Sequence, residues 1–414
     1  MKKAKNLLLI YILLIVTFTT AMFGSYMLPN ERVRWHVSDS IEQLNTEGLY
    51  PRLFFGTPIA QLDNFTDSWM LNLAVSARND APIKSALQNP YKVAKGYSDG
   101  KYTQIGNLEQ RMTNPDNTTT GTYSRYWHGY LSVLRPMLMM FNYQEIRFIN
   151  MCVLFLLFII VISLIKKRLG IPTMLSFLFT MMCTMFFIVA MSLQFSSMYY
   201  IMFISMIVIL LGYKNIEKKD LSIYTFFIIG AVASFLDLLT VPLLTLGMPL
   251  ALYILLREKQ NAVSNFIEII KTSIIWAIGY GITWASKWVI ATVVLKENII
   301  KDALNQILVR TSDSKGEEIL TSMDVITLNK DMILNNVTII IFSIVLIVWI
   351  ISMFFFRKDL EDIITALPIL IIGLMPFVWY IALKNHSAVH YWFTYRSLGV
   401  TVFSTLAFMA NCID

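Results

Sequence analysis

The sequence predicts an all-α polytopic membrane protein with about ten transmembrane helices and a large extracytoplasmic loop domain after the first span. Hydrophobic residues fill 56% of the 414 positions and charged residues only 15%, too little polar surface to coat a soluble globule of this size. Charges are missing from whole stretches rather than thinly spread, and each stretch approaches the roughly 20 residues a helix needs to cross a bilayer. A spanning barrel would instead give shorter segments that alternate apolar with polar residues.

The apolar segments, in order, are 7–28, 148–165, 171–191, 198–212, 221–236, 239–256, 265–285, 336–356, 363–383 and 397–412. The fifth and sixth are short and form one run broken by Asp237, Pro242, Gly247 and Pro249, so a hairpin or re-entrant pair is expected. Segment 7–28 follows Lys2, Lys3 and Lys5, but its length and the lack of a small-x-small cleavage site make an uncleaved first span the expectation.

Basic residues in short turns bias those turns to the cytoplasm. With the N-terminus inside, the inner turns hold Lys166, Lys167, Arg168, Lys214, Lys218, Lys219, Arg257, Lys259, Arg357 and Lys358, whereas the short outer turns hold only Lys384 and Arg396. The chain therefore divides into a cytoplasmic N-terminus and first span (1–28), an extracytoplasmic loop domain with interfacial helices (29–147), spans two to seven (148–285), a second extracytoplasmic loop (286–335), and spans eight to ten with an outer loop at 384–396 (336–414). This topology implies a multi-pass protein of the plasma membrane with both termini cytoplasmic. It also accounts for the net charge of +7, which then gives no reason to expect a nucleic-acid partner. The three cysteines, Cys152, Cys183 and Cys412, lie in or at the end of apolar spans and suggest neither a disulfide framework nor a metal cluster.

The chemistry-bearing residues gather in the loops. Asp63 and Asp67 stand four apart just before an apolar helical pattern, where Thr66 or Asp67 would serve as an N-cap. The functional alternative is a general base at the membrane surface, where partial burial raises a carboxylate pKa. Asp39, just beyond the first span, is the third candidate. Arg125, His128 and Arg135 accompany a run of aromatic residues, Tyr123, Tyr126, Trp127 and Tyr130. An interfacial aromatic belt explains the rings, while a planar donor and an imidazole beside flat faces suit a phosphate and a sugar.

His386 and His390 stand at i and i+4, on one face if the segment is helical, and Arg396 follows. A zinc pair would need further ligands that the neighbourhood does not supply, so the charge type points to a phosphate clamp instead. Asp237, within the broken apolar run, is costly unless it lines a polar cavity, and it joins the binding candidates. No metal site is assigned; a divalent cation is compatible with two acids at one site but has no clear ligand set.

A first span from the cytoplasm, a large outer loop with an acidic pair, and many spans ending in a polar outer loop together resemble the GT-C superfamily of membrane glycosyltransferases. The segment Thr66-Asp67-Ser68-Trp69-Met70-Leu71 is similar to the acidic, helix-opening motif of that superfamily, although the acids are not adjacent and lie further from the first span than is usual there. The resemblance implies a polyprenyl-phosphate-linked sugar donor held in the lipid bilayer, a glycan or lipid acceptor, and Asp67 or Asp63 as the base of an inverting displacement. A polysaccharide polymerase or ligase is the first alternative, but such proteins tend to carry their large outer loop late in the chain. A lipid-linked-sugar transporter without catalysis is the second, and it would favour polar residues at midplane depth, where this sequence offers little beyond Lys271.

Overall fold

Long apolar runs leave the backbone no partner but itself, and the chain is helical almost throughout. In the computed structural model, which describes residues 2–53, 56–78, 80–257, 260–316 and 318–413, six helices are long and apolar enough to cross a membrane. They are Lys2–Tyr26, Tyr143–Cys183, Leu193–Lys218, Ala262–Leu295, Val337–Phe355 and Leu360–Ala382. Two shorter apolar helices, Ser222–Leu236 and Leu244–Leu256, pack among them. The protein is an all-α, multi-pass membrane protein. Among the described residues its only sheets are two antiparallel pairs, Pro90–Ala94 with Thr118–Thr122 and Ser314–Lys315 with Glu318–Ile319.

The Tyr143–Cys183 element is not one rod. Gly170 adopts φ 85° and ψ 176°, a conformation that glycine reaches without steric cost. The rings of Phe158 and Phe177 lie 5.9 Å apart, whereas a straight helix would separate them by roughly 28 Å. The chain therefore doubles back at Gly170, as the separate segments 148–165 and 171–191 require. Arg147 Nε donates to the Met191 carbonyl at 2.8 Å and Asn150 Nδ2 to that of Ala190 at 2.9 Å, closing the open end of the hairpin.

Helix Ala262–Leu295 extends beyond the expected span 265–285 into the first part of the segment 286–335. Ser286 and Lys287 interrupt the apolar run without interrupting the helix, because buried Lys287 donates to the carbonyls of Ala86 and Leu87 at 3.0 and 2.8 Å. This helix crosses Ser222–Leu236 at two glycines. A Cβ on Gly230 would meet the Trp276 carbonyl oxygen at 2.1 Å, and one on Gly279 would meet that of Phe227 at 2.3 Å. Only glycine permits backbones this close.

The two ends of the bundle differ. At one end, Lys3 pairs with Asp220, Lys271 reaches Asp220 at 3.6 Å, Arg257 donates to Asn265 at 2.8 Å, and the Lys358 amide bonds to the Cys412 carbonyl at 3.1 Å. The other end carries the domain that follows the first helix, with a core that includes Tyr26, Leu71, Ile105, Trp127 and Leu134. Buried Arg135 ties that domain to the first helix, donating to the carbonyls of Ser25 (2.9 Å), Leu28 (3.2 Å) and Ala74.

Candidate functional site

The domain end encloses a cavity of ≈ 350 Å³, within the range of small-ligand sites. Separate chain regions meet to build it. Helix Asn64–Val75 supplies Thr66 and Trp69, the 122–130 segment supplies Arg125 and His128, helix Ile299–Thr311 supplies Arg310, and the 384–396 segment supplies His386 and His390. Gln194, at the start of Leu193–Lys218, completes its polar lining.

Local chemistry fixes each wall. The Arg125 carbonyl accepts from the indoles of Trp284 and Trp288 at 3.0 and 2.8 Å, and Trp127 Nε1 donates to the Thr283 carbonyl at 2.7 Å, which straps the segment to Ala262–Leu295. His128 has φ 51°, and the next residue must be small: a Cβ on Gly129 would meet the Phe235 carbonyl oxygen at 2.4 Å. The Arg125 guanidinium lies 4.5 Å from the Tyr123 ring centroid and pairs with Asp302 at 3.2 Å. Trp69 meets Tyr91 edge-on at 4.9 Å, giving the opposite wall an aromatic face.

The two histidines share a side, their ring centroids 4.9 Å apart. His386 Nε2 lies 2.7 Å from the Leu239 carbonyl, which can only accept, so Nε2 carries the proton and Nδ1 is a bare acceptor. His390 Nε2 lies 3.1 Å from Arg310 Nη1, which can only donate, so the His390 proton sits on Nδ1. Both rings are held neutral. Burial pushes His390 down to about 4, with Arg310 adding to the effect, and pushes His386 well below the usual imidazole range. Burial likewise takes His128 down to about 3.

Arg125 Nε, His128 Nε2, Gln194 Oε1, Arg310 Nε, His386 Nδ1 and His390 Nδ1 are buried without a hydrogen-bond partner. Each such atom costs about 1–3 kcal/mol, so their concentration around one cavity marks a site to be completed by a polar ligand. No carboxylate lines the cavity among the described residues, and its two arginines favour an anion.

Of the residues singled out in the sequence, Arg125, His128, His386 and His390 line this one cavity. The other candidates are placed elsewhere. Arg135 is the buried tie described above. Arg396 is buried against Phe195 (4.3 Å) and donates to the carbonyls of Thr184 (3.1 Å) and Trp392 (3.2 Å). Asp39 is exposed and accepts from Asn142 at 2.8 Å.

Asp67 has a different role from the expected cap of its own helix. Its carboxylate accepts from Tyr143 Oη (2.7 Å) and from the amides of Leu193 (3.1 Å) and Gln194 (3.0 Å), the first amides of another helix. The cap of Asn64–Val75 is Asp63, which accepts from the Thr66 amide at 2.9 Å and the Thr66 hydroxyl at 3.0 Å. Burial pushes the Asp63 carboxyl up to about 6, and Thr66 places it one hydrogen bond behind the cavity wall. Asp237 is similarly set back: it accepts from the Thr240 amide (2.8 Å) and Tyr280 Oη (2.9 Å), while the adjacent Leu238 and Leu239 form part of the wall. Arg310 and Gln194 were not singled out in the sequence, where neither stands in a motif. No group of His, Cys, Asp or Glu suited to a metal ion occurs among the described residues.

No family model, curated protein or solved structure matches this chain.

Proposed function

We propose that the protein is a membrane glycosyltransferase of the GT-C type, moving a sugar from a polyprenyl-phosphate donor to a glycan or other acceptor on the extracytoplasmic face. The observation that carries this reading is the meeting of the first-loop residues Arg125 and His128 with His386 and His390 at one aromatic-walled cavity that no carboxylate lines among the described residues. The arginine N–H groups and the His390 Nδ1–H suit phosphate oxygens, the bare His386 Nδ1 suits a hydroxyl donor, and flat rings such as Trp69 and Tyr91 suit a sugar face.

In this reaction an acceptor hydroxyl attacks the anomeric carbon, the bond from that carbon to the phosphate oxygen breaks, and the polyprenyl phosphate leaves with the bonding electrons. The lining arginines, Arg125 and Arg310, offset the charge on the leaving phosphate. Asp63 receives the acceptor proton through the Thr66 hydroxyl, which lines the cavity and donates to it at 3.0 Å, and a pKa of about 6 suits a base working near neutrality. A single displacement inverts the anomeric configuration.

The proposed topology has ten passes, with the Lys3 and Cys412 end cytoplasmic. The reversal at Gly170, the two short apolar helices and the C-terminal helix Gly399–Asn411 bring the six long helices to ten passes, and the basic turns support the orientation. The test is transfer from a polyprenyl-phosphate sugar in proteoliposomes: activity that falls about 100-fold or more in Asp63→Asn supports the reading, and full activity in that variant removes Asp63 as base.

A further inference from the structure

We infer that Arg310 is the principal phosphate-binding residue of the cavity, and that helix Ile299–Thr311 presents it from the bilayer surface to a phosphate carried on a lipid chain. The inference rests on the cavity being a phosphate site, as proposed above, and assigns the contact to a residue outside the sequence motifs.

Arg125 already has a carboxylate partner in Asp302 at 3.2 Å. Arg310 has none among the described residues; its Nη1 donates to neutral His390, and its Nε is buried without a partner. Arg310 is therefore the lining cation whose charge is left uncompensated, which a phosphate would satisfy with charge-assisted hydrogen bonds.

Helix Ile299–Thr311 carries Arg310 in its last turn. At 100° per residue, Ile299, Asp302, Ala303 and Arg310 share one face. Ile299 and Ala303 are buried, Asp302 reaches Arg125, and Arg310 reaches His390, so this face closes the cavity. Ile300, Leu304 and Leu308 fall on another face and are 38%, 50% and 68% exposed. The helix starts four residues after Ala262–Leu295, whose Val289 and Val293 are likewise exposed, so its apolar face continues the lipid-facing surface of a spanning helix. An amphipathic helix so placed lies in the membrane interface. It brings one cation to the depth at which a lipid-linked phosphate leaves the hydrocarbon.

The test uses a fluorescent prenyl monophosphate in phosphatidylcholine nanodiscs, with inorganic phosphate as competitor. Arg310→Ala should weaken prenyl-phosphate binding about 10-fold or more, and Arg310→Lys, which keeps the charge but not the fork, should recover part of the loss. Leu308→Asp, on the lipid-facing side, should weaken prenyl-phosphate binding and leave the inorganic phosphate needed for competition unchanged. Wild-type affinity in a folded Arg310→Ala variant would overturn the assignment while leaving the glycosyltransferase reading intact. If Arg310→Ala fails to fold, wild-type affinity in Arg310→Gln overturns it equally. Inorganic phosphate that displaces the probe at equal concentration, or wild-type probe binding in Leu308→Asp, would overturn the lipid source. No binding of either probe to the wild-type protein would overturn this inference and the proposed function together.

Discussion

Asp63 begins helix Asn64–Val75 with both oxygens on Thr66, and burial raises its pKa from 3.8 to about 6. Between these values the folded protein binds more protons than the unfolded chain, so stability falls as pH rises through that window and stays reduced above it. A shift of about 2 units corresponds to about 3 kcal/mol. Asparagine caps a helix about as well as aspartate and does not ionise. Asp63→Asn should therefore match the wild type near pH 4 and exceed it by up to about 3 kcal/mol at pH 7.5, while turnover falls about 100-fold or more. Wild-type turnover should decline below about pH 6 as the base is protonated. Thermal unfolding in detergent across pH 4 to 8, beside a transfer assay, reads both effects. A variant no more stable than the wild type at pH 7.5 would refute the burial argument, and full turnover would refute the role as base.

Asp67→Ala should lower stability by about 3–5 kcal/mol in the same unfolding assay, because the Tyr143 hydroxyl and two helix N-terminal amides lose their buried anionic partner. Gly129→Ala should cost about 1–3 kcal/mol and disturb ligand binding, since the new Cβ would strike the Phe235 carbonyl and push His128 from its place; isothermal binding and melting temperature check it. For topology, a cysteine at exposed Thr119 should react with an impermeant thiol reagent on intact cells, and one at exposed Lys166 only after permeabilisation.

The membrane class was legible because hydropathy over a long window is a local property. Segments 7–28, 221–236 and 239–256 return as Lys2–Tyr26, Ser222–Leu236 and Leu244–Leu256. Segment 363–383 returns as the single spanning element Leu360–Ala382, with local breaks around Pro368 and Gly373 that divide it into Leu360–Ala366, Ile369–Ile372 and Met375–Ala382. Length by hydropathy failed at Ala262–Leu295, since the carbonyls that receive Lys287 come from residues 86 and 87, far away in the chain. The same reason hid the role of Asp67, whose amide partners stand at 193 and 194. The histidine pair was legible from its i, i+4 spacing, whereas Arg310 ends an ordinary amphipathic helix and gains its meaning only from the contact with His390.

The central claim is that this cavity transfers a sugar from a lipid-linked phosphate. The most direct measurement follows a doubly labelled polyprenyl-phosphate hexose in proteoliposomes containing the purified protein, with one label on the sugar and one on the lipid. The account predicts acceptor-dependent separation of the labels, with inverted anomeric configuration in the product, abolished in Asp63→Asn and strongly reduced in Arg125→Ala. Labels that cross the bilayer together and never separate, with every acceptor class tried, would contradict it and identify a transporter.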